Sequence, residues 1–342
     1  MYHDPQNILV IHIAGLGETV LALPALRALR RHLLHSRITV AASAAAAELV
    51  RLAECADEVL PVGRLRGAEV IGTRSLYRSV KSLREAARER YDLAIELRPG
   101  TEAAVLINFA RPQRRLNPAG NGVRSLIGRL AGALAKFPAG QKHQAKRYLE
   151  MLEPLGVRPL EAAPKLATGR EADERIDRLL RKNGLTTGEL LVGIHPGSGS
   201  ARKRWPAERF ASIAARLIHN FNARVIVFAG PRERGLAKRI AAGLPKGRAV
   251  VLESPKTPDF VSALARLSVF IGNHSGPAHV AAAVGTPVVA VSATDGPSPD
   301  DLLGRNHAHI RGVSAETISE ERVYEAACSL IQTSRAEILI TL

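Results

Sequence analysis

Apolar residues along the chain fall into two alternating patterns. Short aliphatic runs come first: Asn7–Ile13 (NILVIHI) stops at Ala14-Gly15, and Arg37–Ala42 and Tyr91–Leu97 (YDLAIEL) are of the same type. Runs this short and this uniformly apolar predict parallel strands buried on both faces. Between them apolar positions recur at helical spacing. Glu18–Leu34 puts Leu21, Leu26, Leu29 and Leu33 on one stripe, and Ala44–Ala53 and His143–Leu155 also read as helices. Strand and helix in alternation predict a doubly wound α/β domain.

The rhythm pauses at Gly156–Gly169 (GVRPLEAAPKLATG), which holds two prolines. A charged helix is expected over Glu171–Asn183, after which the alternation restarts. Strands are expected at Leu190–His195, Ala223–Ala229, Val269–Gly272 and Pro287–Val291, and helices at Ala207–Phe221, Arg232–Ala242 and His279–Val284. The pattern predicts two α/β domains, residues 1–160 and 161–342, facing each other across a cleft. The last helix is a candidate to pack back on the first domain. Ligands of such sheets bind beyond the carboxyl ends of the strands.

Composition narrows the classes. At 342 residues and 46% hydrophobic, the chain can fill two cores; aromatics are only 4%, so aliphatic side chains must do the filling. Cys55 and Cys328 are too few for a disulfide framework or a Cys-x-x-Cys metal cluster, and suit a reducing compartment. No apolar run reaches the roughly 18 residues of a membrane span, and the opening MYHDPQNILVIHIAG lacks the basic region of a signal peptide. A soluble, cytoplasmic protein is expected. The net charge of +16 is uneven: no acid occurs between Glu102 and Glu150, where Arg111, Arg114, Arg115, Arg124, Arg129, Lys136, Lys142, Lys146 and Arg147 all fall. Such a face draws anions, be they nucleic acid, anionic lipid or a phosphorylated substrate. Nucleic acid is disfavoured, since no helix-turn-helix or RNP signature appears and few aromatics interleave with the cations.

Four loops carry candidate chemistry. Gly15-Leu16-Gly17-Glu18 joins the first strand to the first helix; its glycines allow close backbone approach, but Val20 stands where a dinucleotide fingerprint needs a third glycine. Glu18 reads equally as a base aimed at a ligand or as an acid complementing the helix dipole. His195-Pro196-Gly197-Ser198-Gly199-Ser200 with Arg202-Lys203-Arg204 has the composition of an anion receptor. Gly272-Asn273-His274-Ser275-Gly276-Pro277-Ala278-His279 leads into an alanine-rich helix that Ser275 or Asn273 can cap, and reads as a diphosphate cradle. His195, His274 and His279 invite a metal, but no His-x-x-x-His pair with a nearby acid occurs, so none is expected. Glu233, after Gly230-Pro231-Arg232, reads as a ribose-hydroxyl acceptor or as a dipole-complementing acid.

Together these segments resemble the ADP-heptose:lipopolysaccharide heptosyltransferases of glycosyltransferase family 9. The likeness is carried by NILVIHIAGLGETVLALPALRALRR, YDLAIELR, KHQAKRYLEMLEPLGV, HPGSGSARKRWPAERFASIAARL, FAGPRERGLAKRI and FIGNHSGPAHVAAAVGTPVVAVSATD, in family order from Asn7 to Asp295. The resemblance implies a GT-B fold, an acceptor on the first Rossmann-like domain and an ADP-sugar on the second. It also implies inversion at the anomeric carbon with no metal and no cofactor. By the same resemblance Glu18 is the general base. Donor contacts fall to Ser198, Lys203, Arg204, Glu233, Asn273, His274, Ser275, Gly276, Pro277, His279, Thr294 and Asp295, and acceptor contacts to Gly15, Gly17, Arg98 and Arg124. An anionic glycolipid acceptor at the inner membrane surface would give the basic stretch a use. The sequence departs from the family at Glu18 and His274, where Asp is usual, and in the TDGPSPDD segment. The His274 change leaves open a transferase of the same fold using another nucleotide sugar or a protein or small-molecule acceptor. A nicotinamide oxidoreductase and a non-catalytic binding module are the readings from other classes.

Overall fold

The computed structural model of the chain describes residues 4–63, 81, 84–117, 142–158, 161–185, 188–294, 296, 298, 301–304 and 306–341, with side chains as far as 333. It divides into two compact units, Met1–Ala163 and Pro164–Leu342.

The first unit runs β1 (Asn7–His12), α1 (Leu16–His32), β2 (Arg37–Ser43), α2 (Ala44–Leu52), β3 (Glu58–Val62), β4 (Leu93–Glu96), α3 (Thr101–Ala110), β5 (Arg114–Leu116) and α4 (Gln144–Glu150). Its strands form one parallel sheet in the order β3-β2-β1-β4-β5. Successive side chains of a strand point to opposite faces. On one face Leu9, Ile11, Ala41, Leu60 and Ala94 bury against Ala103, Leu106, Ile107 and Ala110 of α3. Helix α1 packs on α2 and α4.

The second unit contains α5 (Arg170–Lys182), β6 (Leu191–His195), α6 (Ala207–Phe221), β7 (Arg224–Ala229), α7 (Arg234–Ala242), β8 (Ala249–Glu253), α8 (Thr257–Ala265), β9 (Val269–Asn273), α9 (Gly276–Ala283), β10 (Val288–Ser292), β11 (His307–Arg311) and α10 (Glu320–Thr341). The sheet is again parallel, in the order β11-β10-β9-β6-β7-β8. Val192, Ile194, Val225, Val227, Val269, Ile271, Val289 and Val291 meet Phe210, Ile213 and Leu217 of α6. The last helix joins this same core through Val323, Ala327 and Ile331. The charged helix α5 turns Ala172, Ile176 and Leu180 inward, and Arg266, just past α8, pairs with its Asp173 and Asp177.

Several elements differ from the sequence reading for local reasons. The helix expected over His143–Leu155 is α4 followed by a single 3₁₀ turn, Glu153–Leu155, because Pro154 has no N–H and its ring clashes with the preceding turn. Helix α1 starts at Leu16 rather than Glu18, which sets Glu18 within its first turn. Helix α9 starts at Gly276, three residues before the expected His279, with Pro277 in its first turn. The edge strands β3, β5, β8 and β11 have no counterpart in the sequence reading: β5 is three residues long and the others are largely half-buried, so none is an aliphatic run buried on both faces.

Trp205, the only tryptophan of the chain, is buried in the second core. It meets Phe210 edge to face at 4.9 Å, and its indole N–H donates to the Ile318 carbonyl at 3.1 Å. Replacing it by alanine is expected to cost the second unit about 3–5 kcal/mol. Calorimetry would show this as a lowered transition for that unit, and a loss under about 1 kcal/mol would contradict the packing described.

Candidate active site

In both sheets the strand order turns back at the first strand of the unit. It does so between β1 and β4 in one and between β6 and β9 in the other. Connections leaving such a pair run to opposite sides, which opens a crevice beyond the strand ends. The motif loops of the sequence emerge at these two points.

At the first crevice, Gly15 is the N-cap of α1 in an extended conformation, and no side chain caps the helix. A Cβ placed on Gly15 would meet nothing within 4 Å among the described residues; Gly17 is buried in the first turn. Glu18 Oε2 lies 3.1 Å from Arg98 Nη1, and Arg98 comes from just beyond β4. The same guanidinium nitrogen donates to the Ile13 carbonyl at 3.4 Å, so Arg98 ties the carboxylate to the end of β1. Both side chains are partly exposed, and a pair of this kind orients more than it stabilises.

Two polar residues under this crevice were not singled out from sequence. His12, the last residue of β1, is fully buried edge-on to Tyr148 at 5.4 Å. Burial first, then the charge of Arg98, pushes its pKa down to about 3. Glu96 ends β4, and burial raises its pKa to about 7, against the pull of Arg115 and the Gly100 N–H. The available signal was a single polar residue at the carboxyl end of each aliphatic run, NILVIHI and YDLAIEL. Arg124, Arg129 and Lys136 lie outside the described residues; Arg111, Arg114, Lys142 and Lys146 are exposed.

The second crevice is built on one buried amide. Asn273 ends β9 and is 1% exposed. Its Oδ1 accepts the Trp205 N–H at 2.8 Å, while Nδ2 donates to the carbonyls of Pro196 at 2.8 Å and Gly197 at 3.2 Å. The side chain therefore pins the loop after β6 from beneath and does not line the crevice surface. Ser198 is nearly buried, and its carbonyl accepts from Arg204 Nη2 at 3.2 Å. Lys203 ends the single 3₁₀ turn Ala201–Lys203 and is exposed. Glu233 is the N-cap of α7, and its side chain lies across two glycines. A Cβ on Gly197 would come within 2.7 Å of Glu233 Cγ, and one on Gly230 within 2.5 Å of Oε2.

Neither Ser275 nor Asn273 caps α9 with its side chain, contrary to the spacing argument. Ser275 holds the N-cap position, but its hydroxyl donates to the Asn273 carbonyl at 3.0 Å. The helix thus opens at Gly276 and Pro277 with no side-chain cap, an arrangement that favours an anion. His274 donates its backbone N–H to Val291 at 2.7 Å, and its ring lies 5.2 Å from that of buried His279 and 4.7 Å from that of His309. The Thr294 hydroxyl is 3.0 Å from that of Ser292, and Asp295 lies outside the described residues. His195, at the end of β6, is buried, and burial lowers its pKa to about 4. The structure thus gathers Gly15, Gly17, Glu18 and Arg98 at one crevice. At the other it gathers Ser198, Arg204, Glu233, Asn273, His274, Ser275, Gly276, Pro277 and His279.

The model of glycosyltransferase family 9 (heptosyltransferase) matches residues 77–327. The chain is 27% identical to lipooligosaccharide heptosyltransferase 2 of Haemophilus influenzae over 92% of its own length and 90% of that protein. In fold it is similar to a family 9 glycosyltransferase from Veillonella parvula, with a TM-score of 0.80, 22% identity and coverage of 96% and 97% of the two chains. It is also similar to the E. coli ADP-heptose lps heptosyltransferase II, with a TM-score of 0.76, 21% identity and coverage of 96% and 99%. Among the described residues no helix is long and apolar enough to cross a membrane.

The buried imidazoles set an acid limit. His12 and His195 are held neutral in the folded chain at about 3 and about 4, against about 6.5 when unfolded. The unfolded state therefore binds more protons below about pH 6.5, and stability falls as pH drops from there towards 4, by up to about 1.4 kcal/mol per pH unit for each group. Urea unfolding at pH 7, 6 and 5 should show that slope, and His195→Asn should remove its share. An unchanged slope in the variant would contradict the assignment.

Proposed function

The chain belongs to glycosyltransferase family 9, the heptosyltransferase family, and from that premise we propose that it transfers heptose from ADP-heptose, with inversion, to a hydroxyl of a lipopolysaccharide inner-core acceptor. The observation that carries the proposal is the Glu18 carboxylate, held by Arg98 in the first turn of α1. Glu18 takes the proton of the acceptor hydroxyl as general base. The acceptor oxygen forms its bond to the anomeric carbon as the bond to the diphosphate breaks, and ADP leaves with that electron pair.

Negative charge grows on the diphosphate as it departs. Lys203, Arg204, Ser198 and the N–H groups at Ser275 and Gly276 are the donors assigned to it, and donors fixed before the reaction lower its barrier most. The uncapped start of α9 supports that assignment. Glu233, lying over the glycines of two adjoining loops, accepts from the ribose hydroxyls, and Thr294 and Asp295 line the sugar pocket. Gly15, Gly17, Arg98 and Arg124 serve the acceptor. The basic residues between Arg111 and Arg147 meet its phosphate and acid groups at the cytoplasmic face of the inner membrane. No step of this scheme calls for an ion or a cofactor.

One observation keeps a second reading in view. His274 stands where the resemblance implies an acid toward the donor, and its ring packs among imidazoles. A donor sugar other than heptose, or an acceptor other than lipopolysaccharide, follows if that change reshapes recognition.

The test is ADP release from ADP-heptose, with and without a heptose-less core acceptor, by wild type and Glu18→Gln. The proposal expects acceptor-dependent release that falls by about 10²-fold or more in the variant. Release indifferent to the substitution would remove Glu18 as the base. Activity with UDP- or GDP-sugars alone would keep the transferase and replace the donor.

A further inference from the structure

Among the described residues, one group of three ligand-type side chains brings its ligand atoms within 4.8 Å of one another: His274, Asp301 and His309. Each comes from a different segment, namely the turn after β9, the loop before β11 and the middle of β11. Sheet register explains how they meet. On β10, Ala290 stands opposite His309 and Ser292 opposite Arg311, and Ala290 pairs on its other side with Gly272 of β9. In-register residues of neighbouring strands share a face. Ala290 and Ser292 are both small, so the side chains of β10 itself do not separate a ring arriving from β9 from one standing on β11. The two rings stand 4.7 Å apart between centroids.

The acid is held in place from behind. Asp301 Oδ2 accepts from the Ser298 N–H at 3.1 Å and from the Arg311 guanidinium. Its other oxygen, Oδ1, is turned to His309 Nδ1 at 3.1 Å. Arg311 also donates to that Nδ1 at 2.9 Å. A guanidinium can only donate, so Nδ1 accepts from it, and in the ion-free chain this one cationic group bridges the ring and the acid. The His309 side chain is 8% exposed, and its Nε2 makes no hydrogen bond among the described residues.

We infer that His274, His309 and Asp301 form a binding site for one divalent transition-metal ion of the zinc class. Two imidazoles and one carboxylate are a donor set that such ions accept while keeping a position open. Nitrogen and oxygen ligands about 2.0–2.2 Å from a tetrahedral ion stand roughly 3.3–3.6 Å apart. The Oδ1–Nδ1 separation is already close to this, and the remaining approach is of the order of 1 Å, within reach of a side-chain rotation. Arg311 gives up Nδ1 to the ion, keeps its bond to Oδ2 and serves as the outer partner that orients the carboxylate. The site lies beside the start of α9, and ion binding there is separate from the transfer proposed above, no step of which uses an ion.

The test uses the full chain, stripped with a chelator and titrated with zinc chloride by calorimetry with no nucleotide present. Cobalt(II) absorption serves as the independent readout of coordination. One equivalent of zinc per chain is expected, with an increase in melting temperature. Affinity should fall by more than about 100-fold in His309→Ala, Asp301→Asn and His274→Asn, beyond the effect of losing an outer partner. His219→Asn, at an exposed position on α6, should bind as wild type does. If His309→Ala fails to fold, His274→Asn decides. No uptake by wild type, or equal uptake by wild type and His274→Asn, overturns the inference and leaves a hydrogen-bonded Arg311–Asp301–His309 cluster. Neither result touches Glu18, whose test reads turnover.

Discussion

Both sheets depend on one constraint: a parallel strand must be left by a crossover, and the crossovers from two neighbouring strands cannot both cover the strand ends when the order reverses between them. In this chain the reversal falls between β1 and β4 and again between β6 and β9. The residues that follow those four strands are placed by that reversal at an end the crossovers leave open. Aliphatic strands buried on both faces fix the sheets, and the loops beyond them are then held by a few polar contacts. Asn273 is the clearest of these. Its buried amide uses both its ends on the backbone of 196–197 and 205, so the floor of the second crevice is set by hydrogen bonds that leaving unmade would be costly.

Charge is divided between the two ends accordingly. At the first, a carboxylate in the first turn of α1 is steadied by the Arg98 guanidinium. At the second, cations, a hydroxyl and an uncapped helix start supply positive potential. A base and an anion receptor are what the proposed displacement of a diphosphate requires, and each of these two charge patterns arises from a loop of different composition. The neutral, buried His12 and His195 mark the strand ends beneath them. Their burial in the folded chain is a cost that grows in acid.

Much of this was legible in the sequence because aliphatic runs ending at glycine and helices with one apolar stripe leave strong periodic signals. The central strands β1, β2, β4, β6, β7, β9 and β10 all carried it. Edge strands did not: β5 is too short, and β3, β8 and β11 are largely half-buried, so they lack the signal of a strand buried on both faces. The loops at the strand ends could be located but not resolved in detail. Asn273 and His274 are adjacent in sequence, and only the fold separates a buried pin from a ring that meets His309. The grouping of His274, Asp301 and His309 had no signature, since its members are brought together by strand register across β10 rather than by spacing along one helix.

The division of labour between the two crevices is the central claim, and calorimetric titration of ADP into wild type, Lys203→Ala and Glu18→Gln tests it most directly. The account predicts that Lys203→Ala weakens ADP binding by about 10-fold or more, as loss of a charge-assisted contact should, while Glu18→Gln binds ADP as wild type does. ADP affinity that is lost with Glu18 and indifferent to Lys203 would contradict it.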